Sequence, residues 1–139
     1  GEPAKPIAKI ASGGELSRIM LAIQTVLSAH DDLDTMIFDE VDTGISGSAA
    51  QKVGLKLHEV SKYAQVICIT HLAQIACLAD YHLLIQKQVT NHKTYTQVIP
   101  LSKEAQTKEI ARMIGGETIT PLLLQNAQEM IDSAKQLKA

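Results

Sequence analysis

Two short apolar runs, each ending in polar residues, constrain the fold of this chain most strongly. They define predicted strands at about 34–38 and 65–70, the first followed by two acidic residues and the second by a histidine. Neither run alternates apolar with polar residues, which is typical of a parallel strand covered on both faces. Residues 48–61 between them carry apolar side chains at helical spacing, so the sequence predicts a β-α-β unit.

The N-terminal segment leads into the first long helix. Its prolines predict an extended stretch up to about Ile10. A helix is then expected from near Gly13 to about Ala29, followed by a polar turn at 30–32. A second, short helix is expected from Leu72, directly after the second apolar run.

The C-terminal half predicts a hairpin and two further helices. Strands at 81–87 and 95–101 are joined by the polar stretch 89–93, and we expect them to extend the parallel sheet at one edge. A helix at 103–114 ends at two glycines that supply its C-cap. Thr120 and Pro121 then begin the last helix. The fold class is α/β, a mostly parallel sheet flanked by helices in one domain, 1–139.

Composition limits the classes of function. A length of 139 residues with 45% hydrophobic content suits one globular domain, and a net charge of −2 gives no basic field that would predict direct binding of nucleic acid. No stretch reaches membrane-spanning length, and Cys68 and Cys77 lack the spacing of a zinc or redox pair. We expect a cytoplasmic protein with reduced cysteines and no membrane partner.

The tetrapeptide Ser12, Gly13, Gly14 and Glu15 places a glycine-rich turn at the start of the first long helix. Serine with glutamate three residues later forms a capping box, and the glycines leave backbone N–H groups uncovered. Such a helix start attracts an anion, a phosphate group above all. Taken alone, the tetrapeptide fits an ordinary capped surface helix better than an anion site.

Acidic residues and a histidine follow the two predicted strands. Ligands of open α/β sheets gather at the carboxyl ends of strands, where Asp39, Glu40 and His71 lie. One carboxylate suits a divalent cation and the other the deprotonation of a water molecule that attacks a phosphoryl group. Asp42 adds charge that a metal ion would neutralise. The alternative is a solvated acidic loop beside a structural histidine.

These motifs together carry a family resemblance. Residues 12–15 resemble the signature motif of the ABC-type ATPases, 36–40 their Walker B strand with its catalytic glutamate, 42–46 their D-loop, and His71 their switch histidine. The longer runs 9–21, 38–47, 69–76 and 111–116 resemble the RecN family of bacterial DNA repair proteins, which are related to the SMC proteins.

The resemblance implies the C-terminal lobe of an ABC/SMC-type P-loop ATPase head that binds ATP and Mg²⁺. Asp39 would hold the metal, and Glu40 and His71 would be catalytic on the nucleotide of their own head. The signature residues 12–15 would bind the nucleotide of a second head in a homodimer, and Asp42 would belong to the cofactor site as part of the D-loop. The remaining partners implied are the N-terminal half of the same head, and DNA through the full-length protein at the nucleoid.

One departure from the family pattern is decisive for activity. The chain contains no Gly-x-x-x-x-Gly-Lys-[Ser/Thr] loop, so the main phosphate cradle of the Walker A motif is missing. We expect the chain by itself to bind ATP poorly and to hydrolyse it negligibly, whereas the full-length protein is an ATPase in the repair and recombination of DNA double-strand breaks.

Two other functions remain open. The lobe could act as a non-catalytic, ATP-gated module for assembly and DNA retention, with Arg18 and the lysines at 87–93 as contact points. It could also belong to another SMC or ABC ATPase, including a membrane transporter. Glu15, where transporters commonly carry glutamine, and the Val41-Asp42 pair after Glu40 argue against a transporter.

Overall fold

The computed structural model describes residues 6–28, 33–90 and 93–138. The predicted end of the first long helix at Ala29, the polar turn at 30–32 and the tip of the hairpin at 91–92 lie outside these residues. The described helices are α1 Ile7–Ile10, α2 Gly13–Leu27, α3 Gly47–Val60, α4 Ala73–Ala76, α5 Lys103–Gly115 and α6 Pro121–Lys138, and the strands are β1 Thr35–Phe38, β2 Gln65–Cys68, β3 Leu83–Thr90 and β4 Lys93–Pro100. The chain divides into two compact units, Gly1–Ile75 and Ala76–Ala139.

The first unit contains the predicted β-α-β arrangement. β1 and β2 pair in parallel with Ile37 opposite Ile67, and α3 forms the connection between them. The pairing continues past the strands, because the N–H of Ile69 donates to the carbonyl of Phe38 at 2.9 Å. The carboxyl ends of both strands therefore meet at one edge of the sheet, and this part of the prediction is confirmed.

The core of the first unit lies on one face of this parallel pair. Met36 and Phe38 are buried there, in one cluster with Leu21 of α2 and with Ala50 and Leu57 of α3. The opposite face is open, with Ile37 67% and Ile67 42% exposed. The expectation of a strand covered on both faces is therefore wrong for the described residues, since α2 and α3 both contribute to the cluster on the Met36 face.

The segment before the tetrapeptide differs from its prediction. Residues Ile7–Ile10 form a helical turn, α1, in which the N–H of Ala11 donates to the carbonyl of Ile7 at 2.9 Å, so the extended lead-in is wrong there. The helix predicted from Gly13 is confirmed as α2, whose buried residues are Gly14 and Leu21. The remaining apolar positions of α2 are half-exposed or more open, among them Ile19, Met20 and Ile23.

The second unit contains the predicted hairpin, but the hairpin does not join the parallel sheet. β3 and β4 pair antiparallel, with Ile85 opposite Val98, and form a two-stranded sheet of their own. The expectation that they extend the parallel sheet is wrong, and so is a mostly parallel sheet. The short connection lets the two strands satisfy each other's backbone groups locally. In the described part of the chain, β1 and β2 pair only with each other.

The two C-terminal helices begin where the sequence predicts, and α5 also ends at the predicted glycines. Ser102 caps α5 by accepting from the N–H of Ala105, and Thr120 Oγ1 accepts from the N–H of Leu123 at the start of α6. Gly116 ends α5 with φ at 81° and ψ at −156°, while its N–H donates to the carbonyl of Arg112 at 2.7 Å. None of the described helices is long and apolar enough to cross a membrane.

The backbone of Gly116 lies in a region that residues with a Cβ rarely adopt. We expect Gly116→Ala to lower the free energy of unfolding by about 1 to 3 kcal/mol, because the new side chain strains this conformation. Urea denaturation measures the change. Ser133→Ala, at an exposed helical position of α6, is the control and should unfold at the wild-type urea concentration. Equal stability of the two variants would contradict the strain.

Candidate functional site

The carboxyl edge of the parallel pair gathers the polar residues predicted to act together. Asp39 and Glu40 follow β1 directly, and His71 is the third residue after β2. The turn 39–44 lies against the first turns of α2, which carry the glycine-rich tetrapeptide. All of these residues belong to the first compact unit, so one folded body positions them.

Asp42 joins the two strand ends through one buried oxygen. Its Oδ2 accepts from Thr70 Oγ1 at 2.6 Å and from the N–H of His71 at 2.9 Å, and it lies 3.0 Å from His71 Nδ1. Burial raises the pKa of this carboxyl most strongly, but the hydrogen bonds from Thr70 and His71 together outweigh it and hold the pKa below its usual value. Asp42 is therefore an ionised, internal anchor for the residues that follow β2.

The same contact fixes the histidine. The His71 side chain is 73% exposed, although the Asp42 side chain that it meets is only 3% exposed. An ionised carboxylate only accepts hydrogen bonds, so Nδ1 is the donor and Nε2 is the ring atom that can accept one in neutral imidazole. The contact of Nδ1 with Asp42 thus orients the His71 ring, and Nε2 is available to accept a hydrogen bond from a ligand.

Arg18 and Ser17 of α2 hold the acidic turn by its backbone. Arg18 Nη1 donates to the carbonyls of Val41 at 3.2 Å and Thr43 at 2.7 Å, and Ser17 Oγ donates to the carbonyl of Asp39 at 2.7 Å. A guanidinium suits this task because its N–H groups have a fixed planar arrangement. Arg18 therefore has a role in the fold that is independent of any contact with DNA.

Glu40 adopts a rare backbone conformation within this turn. Its φ is 58°, and it is the only non-glycine residue with positive φ in the part of the chain that the structure describes. Its N–H donates to Asp39 Oδ1 at 2.8 Å, and its carbonyl accepts from the N–H of Thr43 at 3.0 Å. Such conformations concentrate at functional sites, where surrounding contacts hold them in place.

The glycine-rich tetrapeptide forms the predicted capping box. Glu15 Oε2 accepts from both the N–H and the Oγ of Ser12 at 2.8 Å, and Ser12 Oγ accepts from the N–H of Glu15 at 3.3 Å. Hydrogen bonds from the backbone and hydroxyl of Ser12 lower the pKa of Glu15. Gly14 is buried against this turn, so closely that a Cβ there would lie 2.9 Å from the Glu40 carbonyl oxygen. The helix start is thus packed on the acidic turn.

Asp39 is the residue that the sequence predicts to hold a metal ion. Its side chain is exposed at the strand end, and Oδ1 accepts from the N–H of Glu40. Among the described residues no three potential ligands cluster into a metal site of their own. Mg²⁺ in nucleotide sites needs only one or two carboxylates, with phosphate and water oxygens completing its shell. The donor set therefore fits Mg²⁺ held jointly with a nucleotide.

The two cysteines are free, in agreement with the expectation that they are reduced. Burial raises the pKa of the Cys68 thiol to about 12, with the charges of Asp42 and Asp39 adding to the effect. Burial also raises the pKa of Cys77 to about 11. Neither thiol is activated as a nucleophile at neutral pH.

Comparison with known proteins identifies relatives of the whole chain. The chain is 51% identical over 138 residues to the DNA repair protein RecN of Bacillus subtilis (strain 168), which covers 99% of this chain and 24% of the relative. It is 49% identical over 131 residues to RecN of Treponema pallidum, covering 94% and 23% of the two chains. The chain is a relative of a segment of RecN. The resemblance inferred from the motifs is confirmed.

The chain spans about a quarter of the length of these RecN relatives. A solved structure from work on the ATP-driven dimerization and DNA-stimulated activation of SMC ATPases has the same fold, with a TM-score of 0.54 and 24% identity over 85% of this chain and 70% of the other. No protein-family model matches the chain. This chain therefore shares the α/β fold of that solved structure.

Sequence reasoning missed three residues of the site. Thr70 and Ser17 act through single hydroxyl groups, and Arg18 acts on carbonyl oxygens more than 20 residues away. A threonine at a strand end next to the histidine was the one available signal for Thr70. Arg18 and Ser17 sit on an ordinary helical stretch that gives no hint of such contacts.

Loss of the Asp42 charge should destabilise the first unit. The pKa of Asp42 is lower in the folded state than its ordinary value of 3.8, so its contribution to stability is present above that pH and is lost as pH falls through the folded pKa. We expect Asp42→Asn to lower the free energy of unfolding by about 1 to 3 kcal/mol at neutral pH, because the Thr70 and His71 donors lose a charged acceptor.

Chemical denaturation at a series of pH values measures this effect. The stabilities of wild type and Asp42→Asn should converge as pH falls through the folded-state pKa of Asp42, which lies below its ordinary value of 3.8, because the wild-type carboxyl is then protonated. Asp132→Asn on α6 is the control, because its exposed carboxylate bonds Lys135 and Gln128 at the surface and its loss should matter much less. A pH-independent difference for Asp42→Asn would show that charge is not the cause.

Proposed function

We propose that this chain is the C-terminal lobe of the ATPase head of a RecN-type protein, which uses ATP-dependent head dimerisation in the repair and recombination of DNA double-strand breaks. The single observation that carries the proposal is the joining of Asp42 with Thr70 and His71, which brings the ends of both strands into one oriented polar site. The 51% sequence identity to RecN over 99% of this chain and the shared fold with the solved structure from work on SMC ATPases support it.

Glu40 is proposed as the general base for ATP hydrolysis. Its carboxylate is exposed at the carboxyl end of β1, and its backbone is fixed by Asp39 and Thr43. A carboxylate held there can accept the proton of an attacking water as the water oxygen bonds to the terminal phosphorus and the bond from that phosphorus to the bridging oxygen breaks. The adenosine diphosphate and inorganic phosphate products then leave, and the proton passes from Glu40 to solvent.

His71 and Asp39 are proposed to act beside this base. Neutral His71, with Nδ1 held by Asp42, presents Nε2 to the attacking water or to a phosphate oxygen. Asp39 would hold Mg²⁺, which when bound neutralises charge on the phosphate oxygens. Asp42 was predicted as a cofactor-binding residue. Because its carboxylate is buried against Thr70 and His71, we infer that it acts on the nucleotide by orienting His71.

The start of α2 is proposed to serve a second head. Ser12, Gly13, Gly14 and Glu15 lie at an N-terminal helix end whose capping box is complete within the chain, and a helix end of this kind suits a terminal phosphate. The chain has no Walker A loop of its own, so the phosphate cradle comes from the N-terminal half of a head. The partners proposed are therefore that half, a second copy of the head, and DNA through the full-length protein in the cytoplasm and nucleoid.

Replacement of Glu40 tests the proposed hydrolysis. In the full-length protein we expect Glu40→Gln to retain ATP binding and to lower kcat by about 10²- to 10⁴-fold, because the amide cannot accept the proton. Steady-state ATPase assays and size-exclusion chromatography with ATP measure turnover and head dimerisation, and engaged dimers should persist. Glu59→Gln on α3, whose carboxylate meets only Lys56 in the contacts described, is the matched control. Normal turnover by Glu40→Gln would refute the assignment of the base.

The second candidate function is a non-catalytic module for ATP-gated assembly and DNA retention. The exposed lysines of the hairpin, Lys87 and Lys93, favour it as points of contact for phosphate groups. Joining of DNA ends by full-length Glu40→Gln separates the two functions. Joining at the wild-type rate would favour the assembly module, and loss of joining would favour a need for hydrolysis.

A further inference from the structure

The carboxylate of Glu40 lies against the Cα of Gly13 in the same chain. A Cβ built on Gly13 would be 2.3 Å from Glu40 Oε2 and 3.5 Å from Glu40 Cδ. We propose that Gly13 is a positioning residue for the Glu40 carboxylate of its own chain, in addition to any contact with a nucleotide held by a second head. This inference rests on the proposed function, because it takes Glu40 to be the base.

The backbone on both sides of the contact is fixed. Glu40 has φ at 58°, its N–H donates to Asp39 Oδ1, and its carbonyl accepts from Thr43. Opposite it, the capping box between Ser12 and Glu15 fixes the first turn of α2 around Gly13. The place of the carboxylate is therefore decided by the side-chain torsions of Glu40 and by the space that Gly13 leaves open.

Electrostatics favour the same position. Gly13 is the first residue of α2, and the unpaired N–H groups at a helix start carry partial positive charge that attracts a carboxylate. Glu15 in the same turn directs its own carboxylate to Ser12, so it leaves the Gly13 side of the turn to Glu40. The space beside Gly13 is thus left open for the base.

The neighbouring glycine has a different task. A Cβ on Gly14 would meet backbone as well as side chain, at 2.9 Å from the Glu40 carbonyl oxygen and 3.1 Å from the Thr43 carbonyl oxygen. Gly14 is therefore required for the packing of α2 on the acidic turn. A Cβ on Gly13 would meet only the far end of a flexible side chain. Gly13→Ala should leave the fold intact and displace the carboxylate.

This contact links the two sites that one head would serve. In the proposed dimer, the first turn of α2 faces the nucleotide of the opposite head, while Glu40 acts on the nucleotide of its own head. Since Gly13 and Glu40 touch, a shift of this turn on engagement of one nucleotide moves the base at the other. The structure thus supplies a short physical route between the two sites.

A double-mutant cycle in the full-length protein tests the inference. Single-turnover ATPase assays compare wild type, Gly13→Ala, Glu40→Asp and the double variant. We expect Gly13→Ala to lower kcat by on the order of 10²-fold with KM unchanged, because a displaced base misses the attacking water. In the Glu40→Asp background, whose side chain is one methylene shorter, Gly13→Ala should change kcat less than about twofold, because the methyl group no longer meets the carboxylate.

Two controls accompany the cycle. The thermal midpoint of Gly13→Ala should equal or exceed that of wild type, because alanine favours a helix more than glycine does. Ser12→Ala should change activity by the same factor in both backgrounds, since the Ser12 hydroxyl bonds Glu15 and not Glu40.

Each outcome of the cycle has one meaning. An equal loss from Gly13→Ala in both backgrounds, or a rise in KM alone, would overturn the inference and leave Gly13 with a role only toward the opposite nucleotide. Unchanged kcat in Glu40→Gln, measured beside the cycle, would instead refute the proposed base. The two failures are therefore distinguishable in one set of assays.

Discussion

The buried carboxylate of Asp42 is the interaction on which the site depends. It is the point at which the turn after β1 is hydrogen-bonded to the residues after β2, through Thr70 and His71. A charge at this depth is stable only because three donors surround one of its oxygens. Without it, parallel pairing would still bring the strand ends together, but His71 would have no fixed orientation.

The first turns of α2 hold the other side of the same turn. Arg18 and Ser17 bind its carbonyl oxygens, and Gly14 lets the helix approach the Glu40 backbone closely. Asp42 and α2 thus fix the acidic turn from two directions. This arrangement accounts for the positive φ of Glu40, since a residue in that conformation needs contacts on both sides to stay there. Rigid support of this kind suits a catalytic carboxylate, because the rate of a catalysed reaction depends on the position of the catalytic group.

The features predicted correctly from sequence all have short-range causes. The capping box of Ser12, the glycine end of α5 and the hairpin pairing of β3 with β4 follow from residues within a few positions of one another. The β-α-β unit follows from apolar runs and their order. Because these signals lie in short stretches of sequence, the sequence alone is enough to predict them.

The features that sequence reasoning missed depend on contacts between residues that are far apart in the sequence. Ile37 and Ile67 look like core residues of a doubly covered strand, yet they are exposed because α2 and α3 contribute to the core on the other face. Apolar composition alone does not tell which face is covered. Arg18 looks like a surface charge, and only the folded position of the acidic turn shows its use. The roles of the residues from 12 to 71 in ATP chemistry stay predictions.

Nucleotide binding tests the central claim most directly, namely that the chain carries a preorganised half of an ATP site without the phosphate cradle. Isothermal titration of Mg²⁺ and ATP would compare this chain with the full-length RecN-type protein. The account predicts binding by the full-length protein and much weaker binding by this chain, because the chain has no Walker A loop. Binding by the chain alone as tight as that of the full-length protein would contradict it.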